Sequence, residues 1–220
     1  MTTSPEGYVF IVTYGRSGST LIQTLLQSIN GYFMRGENAN ALWPLFQSIK
    51  RIEQAKIDHG YREIEAKGPW FGINAVEPSR YAERLVKVFV DEVIQPPEDA
   101  RVIGFKEIRF HEAEAEFDAY LEFIAHHFAP ARFVFNLRNW QDVAKSGWWK
   151  NCDPDMVKTL VEKSDAQFLS FAEKHPNSCF IAQYEDYVGK PDYWRSLFDF
   201  LGEAYDPARV EALSARKLKH

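Results

Sequence analysis

The chain has 220 residues, 45% hydrophobic and 26% charged, enough for one large domain with a substantial core. Its formal net charge of -5 argues against a general binder of nucleic acid or anionic membrane, while leaving room for a local basic pocket. Two cysteines, Cys152 and Cys179, stand in no Cys-x-x-Cys pair, which excludes a disulfide framework and points to reduced thiols in the cytoplasm.

The N-terminal "MTTSPEG" is polar, and the apolar run after it ends at Tyr14, too early for a leader or a membrane span. Residues 8 to 13, "YVFIVT", suit a strand buried on both faces. The stretch "YGRSGST" (residues 14–20) follows. Then Leu21, Ile22, Leu25, Leu26 and Ile29 fall at helical spacing. Helices are predicted over about 39–58 and 79–94, separated by the breaker-rich loop "KGPWFG". "RVIGFKEI" reads as a second strand, and Phe117 to Phe128 as a helix that stops near Pro130. "RFVFNL" is a third strand, followed by the turn and short helix of "RNWQDVAKSGWW". A long helix starts near Pro154, "SCFIAQY" is a fourth strand, and Gly202 ends a helix carrying Trp194, Leu197, Phe198 and Leu201. A last short helix leads into the basic "SARKLKH".

Strands alternating with helices predict an α/β fold, a three-layer, doubly wound and mainly parallel sheet flanked by helices. No composition break divides the chain, so residues 1–220 read as a single domain. Ligands of such sheets bind beyond the carboxyl ends of the strands. The loops after Thr13, residue 107, Leu137 and Tyr184 therefore converge on one crevice.

The first loop can hold a phosphate or sulfate. A strand-to-helix turn offers main-chain N–H groups from Ser17 to Thr20, reinforced by the helix dipole. Gly15 and Gly18 allow close approach of an anion, Ser19 and Thr20 can cap the helix and donate hydroxyls, and Arg16 adds a fixed charge. The same residues also suit an ordinary capped helix start. A nucleoside-triphosphate loop would end in Gly-Lys-Ser/Thr, and Gly18-Ser19 departs from that pattern. After the third strand, Arg138 can grip a phosphate bidentately and Ser146, eight positions on, can add a hydroxyl. Taken singly, these two also read as a surface ion pair and a helix face.

Together these segments resemble the sulfotransferases that use 3'-phosphoadenosine-5'-phosphosulfate (PAPS). Arg16-Ser17-Gly18-Ser19-Thr20 matches their loop for the 5'-phosphosulfate. Arg138-Asn139-Trp140-Gln141-Asp142-Val143-Ala144-Lys145-Ser146 matches their 3'-phosphate segment, with Trp140 where proline is usual. "IAQYEDYVGKP" and "LFDFLG" match a third segment, which implies a place near the adenine for Tyr184. The resemblance runs from about residue 8 to 202. It implies a P-loop-like fold and metal-independent sulfuryl transfer. The implied acceptor is a small-molecule, carbohydrate or lipid-linked hydroxyl or amine, shaped around residues 38–80 with Trp43, Trp70 and Phe71. Lys106, in "GFKEIR", is implied to approach the transferred group. Many relatives carry Lys-Thr-His there, and the histidine is missing from Lys106-Glu107-Ile108. Another branch uses a glutamate soon after the first helix, which implies Glu37 as the base. His111 is the alternative. A P-loop nucleotide or small-molecule kinase and a non-catalytic nucleotide-binding module remain the competing readings.

Overall fold

The structure is a computed structural model and describes residues 5–214. The chain forms two compact units, one of residues up to 39 and from 96 onward, the other of residues 40–95.

The larger unit is built on a five-stranded, all-parallel sheet: β1 (Gly7–Val12), β2 (Tyr32–Arg35), β3 (Val102–Glu107), β4 (Ala131–Leu137) and β5 (Cys179–Gln183). The spatial order is β2-β3-β1-β4-β5, so β1 is central and pairs with β3 on one side and β4 on the other. The strand absent from the sequence reading is β2. Its four residues, "YFMR", are too few to show alternation, and pairing with β3 defines it.

Alternation along the strands gives the sheet two buried faces. On one face, Val9, Ile11 and Val134 meet Ile22, Leu25 and Leu26 of α1 (Ser19–Gln27), all nearly or fully buried. Leu197, Leu201 and Val210 of the C-terminal region join this layer, together with the rings of Tyr32, Tyr187, Trp194 and Phe198. Each fully buried aliphatic chain contributes about 1.5–3 kcal/mol, so this face anchors α1 and with it the loop that precedes it. The other face is aromatic. Phe10 lies 5.0 Å from Phe105 and 5.7 Å from Phe133, and Phe135 lies 5.2 Å from Phe168, measured between ring centroids. Phenylalanines of three strands thus pack together on this face, while Tyr187, Trp194 and Phe198 lie in the core on the opposite one.

The smaller unit is helical, with α2 (Leu42–His59) and α3 (Pro78–Val88), the latter running on as a π-helical turn to Ile94. Ser48 and Tyr81 share a 2.8 Å hydrogen bond between the two helices, and Trp70 stacks on His59 at 4.2 Å. Phe71 is exposed. The remaining helices, all in the larger unit, are α4 (Phe117–His127), α5 (Trp140–Ala144), α6 (Pro154–Lys174), α7 (Tyr184–Tyr187), α8 (Arg195–Leu201) and α9 (Pro207–Ser214). Among the described residues no helix is long and apolar enough to cross a membrane. The basic tail from residue 215 lies outside the described residues.

Candidate active site

All five strands run the same way, so the loops after β1, β2, β3, β4 and β5 share one edge of the sheet. The loop after β1 turns through two left-handed residues, Arg16 (φ 66°) and Gly18 (φ 89°). Such turns direct successive N–H groups towards a common point, where an anion is favoured. Glycine is required at 18 twice over, because a Cβ there would also lie 2.5 Å from the Tyr184 ring. Arg16 has a Cβ, and its conformation stores about 1–2 kcal/mol of strain of the kind found at functional loops.

The sequence reading of the helix start needs correction. Gly18 itself is the N-cap of α1, and no side chain caps the helix. Ser19 and Thr20 are the first helical residues, with the Thr20 carbonyl accepting from Thr24 Oγ1 at 2.8 Å. The Ser17 hydroxyl faces inward: it is fully buried and 2.7 Å from Thr13 Oγ1.

The second predicted segment meets this loop directly. Arg138 Nη1 donates to the Arg16 carbonyl at 2.8 Å, and its guanidinium carbon lies 4.1 Å from the Tyr184 ring centroid. Arg138 Nε is buried with no hydrogen-bond partner among the described residues. Arg16 Nε donates to Ser146 Oγ at 3.1 Å. Ser146 is not inside the helix as the sequence suggested. Lys145 caps α5, and Ser146 follows in extended conformation (φ -110°, ψ 135°), which lets its hydroxyl reach back to Arg16. Thus Arg16, Gly18, Arg138, Ser146 and Tyr184 form one cluster although they span 168 positions of sequence (184 minus 16).

Side chains not foreseen hold this cluster. Tyr14 Oη accepts from the Arg138 N–H at 2.8 Å and lies 2.9 Å from Asp165 Oδ1, to which it donates. Burial drives the Asp165 carboxyl up to about 7, opposed by the Tyr14 hydrogen bond and aided by Glu185 and Glu162. Burial likewise pushes the Tyr14 phenol well upward. Trp149 Nε1 donates to the Gly15 carbonyl at 3.0 Å, and the Trp148 ring occupies the space that a Gly15 Cβ would need. Below them, Asn136 Nδ2 donates to the Ser17 carbonyl at 2.9 Å, and Tyr187 Oη donates to Asn136 Oδ1 at 2.8 Å. Thr13 Oγ1 lies 2.8 Å from the Asn136 carbonyl. A tyrosine beside a glycine loop and an asparagine inside an apolar strand were the available signals.

A second cluster sits after β2 and β3. Lys106 Nζ donates to Glu37 Oε1 at 2.7 Å. Arg109 Nη1 lies 3.7 Å from Glu37 Oε2 and 3.2 Å from Glu107 Oε1. The Glu37 side chain keeps 36% of its surface exposed and Lys106 only 10%, so an exposed carboxylate meets a buried ammonium. The other base candidate, His111, is half-buried in the 3₁₀ turn Phe110–Glu116. Burial lowers its pKa, its Nδ1 has no hydrogen-bond partner among the described residues, and it is not part of the Glu37–Lys106 pair.

A family model described as the sulfotransferase family matches residues 8–207. The chain belongs to the sulfotransferase family. Solved sulfotransferase structures share its fold. The domain from the Synechococcus PCC 7002 olefin synthase superposes with a TM-score of 0.59 at 18% identity, covering 98% of this chain and 79% of that one. The domain from the curacin biosynthetic pathway gives 0.55 at 17%, covering 93% and 77%. A sulfotransferase from Alicyclobacillus acidocaldarius gives 0.51 at 15%, covering 98% of both chains. No curated protein matches the sequence.

Proposed function

We propose that this sulfotransferase takes the sulfuryl group from PAPS and transfers it to a hydroxyl or amine of a small-molecule, carbohydrate or lipid-linked acceptor. In this reading the reaction is metal-independent and cytoplasmic, and residues 1–220 act as one sulfotransferase domain. The observation that carries it is the contact between the two segments that the sequence reading assigns to anions. Arg138 grips the main chain of the Arg16 loop while its own Nε stays buried and unpartnered. A buried unpaired donor is costly, and an anionic oxygen of the nucleotide would satisfy it. The residues present therefore fit a nucleotide with phosphates at both ends of its ribose.

Each side chain then has a role. Gly18 and the first N–H groups of α1 receive the 5'-phosphosulfate, and Arg138 and Ser146 receive the 3'-phosphate. Tyr184, already held over Arg138, borders the adenine. As the bond from sulfur to the bridging phosphate oxygen breaks, charge grows on that oxygen, and Arg16 stabilises it. Lys106 supports the sulfuryl oxygens. Glu37 takes the proton of the attacking hydroxyl as the new oxygen–sulfur bond forms. Its place beside Lys106, the side chain assigned to the sulfuryl oxygens, supports Glu37 over His111 as the base.

A thermal-shift series tests the donor. Adenosine 3',5'-bisphosphate without magnesium should stabilise the protein, and ADP much less. A preference for ADP or ATP with magnesium would sink the reading in favour of a kinase. Transfer of label from PAPS into a cell-extract acceptor pool, read by mass spectrometry, identifies the acceptor class, and no labelled product would leave only a nucleotide-binding module.

A further inference from the structure

Glu107 ends β3 and is fully buried, in a position where a lone carboxylate is strongly unfavourable. It is held by several donors. Oε1 accepts from the N–H groups of Ile108 at 2.7 Å and Arg109 at 3.1 Å, and from Arg109 Nη1 at 3.2 Å. Oε2 accepts from the N–H of Asn38 at 2.9 Å. The first three come from its own loop. The fourth comes from the loop after β2, 69 positions away in sequence.

That fourth bond has a specific target. Asn38 follows Glu37, and the peptide between them is planar. Fixing the Asn38 N–H therefore fixes where the Glu37 side chain leaves the main chain. From there Glu37 reaches Lys106, the neighbour of Glu107 on β3, while Arg109 lies against both carboxylates. We propose that Glu107 is a positioning residue: it ties the β2 loop to the β3 loop and so sets the Glu37 carboxylate against Lys106. This rests on the reading of Glu37 as the base. Glutamine is nearly the same size but offers one acceptor oxygen, and its amide group would confront either Asn38 or the Ile108–Arg109 pair.

The experiment compares Glu107→Gln, Glu37→Gln and the double variant, using label transfer from PAPS to the acceptor pool at saturating donor. Glu107→Gln should lower turnover about 30-fold, with adenosine 3',5'-bisphosphate affinity within about two-fold of the parent, because the nucleotide loops lie after β1 and β4. In the Glu37→Gln background the same change should have almost no further effect, which a merely structural role would not produce. Turnover within about three-fold of the parent, additive losses, or parallel loss of nucleotide affinity would overturn the proposal. If Glu107→Gln does not fold, Glu107→Asp, whose shorter side chain draws the carboxylate back from Asn38, takes its place in the cycle, with a loss of about five-fold that again vanishes without Glu37. If Glu37→Gln alone keeps full turnover, the base reading fails by itself. Amide exchange then decides the clamp: the Asn38 N–H should exchange at least about ten-fold faster in Glu107→Gln, or in Glu107→Asp where that stands in, and unchanged exchange refutes it.

Discussion

The two halves of the site are built by different means. The half after β1 and β4 is a main-chain device, in which arginines, a tyrosine and tight turns lock one another through carbonyl and N–H contacts. The half after β2 and β3 is a cluster of two carboxylates, one of them the buried Glu107, and two cations. A turn that must receive a constant ligand is fixed by backbone conformation. The Glu37 side chain, proposed as the proton acceptor, is instead held by ion pairs between distant segments.

Four substitutions probe that contrast. Arg16→Ala should have the largest effect, lowering turnover about 10³-fold by removing the cation at the leaving oxygen, measured as label transfer from PAPS. Glu37→Gln should lower turnover about 10²-fold while leaving adenosine 3',5'-bisphosphate affinity unchanged. If it weakened nucleotide binding equally, the two halves would not be separable. Gly18→Ala introduces both a left-handed alanine and a contact with the Tyr184 ring. It should reduce stability by about 2 kcal/mol in urea unfolding and abolish stabilisation by the nucleotide. Asp165→Asn should have the smallest effect. Because the folded pKa of Asp165 is raised to about 7, the native state holds its proton more tightly than the unfolded chain. Its contribution to stability is therefore greatest at low pH and declines as pH rises from about 4 to about 7. Asparagine removes that decline and should make the protein more stable than the parent at pH 8 by about 1 kcal/mol, after allowing for solvent screening. Melting curves at pH 4 and pH 8 check both sign and size.

The same division explains what was legible in the sequence. Arg16, Gly18, Arg138 and Ser146 sit in contiguous segments whose spacing is visible along the chain, and the structure brings them together. Four strands were legible because long apolar runs mark them. β2 was not, since four residues carry little pattern and pairing with β3 creates it. Ser146 was misplaced in a helix because only the cap at Lys145 reveals the exit. Glu107 was passed over as the residue in place of a threonine. Its meaning comes from Asn38, and nothing in local spacing links the two.

The buried contacts among Thr13, Ser17, Asn136 and Tyr187 join the floor of the β1 loop to β4 and α7. Polar groups sealed beneath a surface resist separation, because parting them would leave each without a partner. The loops after β1 and β4, proposed to hold the nucleotide, are therefore a preorganised pair. Binding at such a pair loses little conformational entropy, so calorimetric titration with adenosine 3',5'-bisphosphate should lack the large ordering penalty of a site that folds around its ligand.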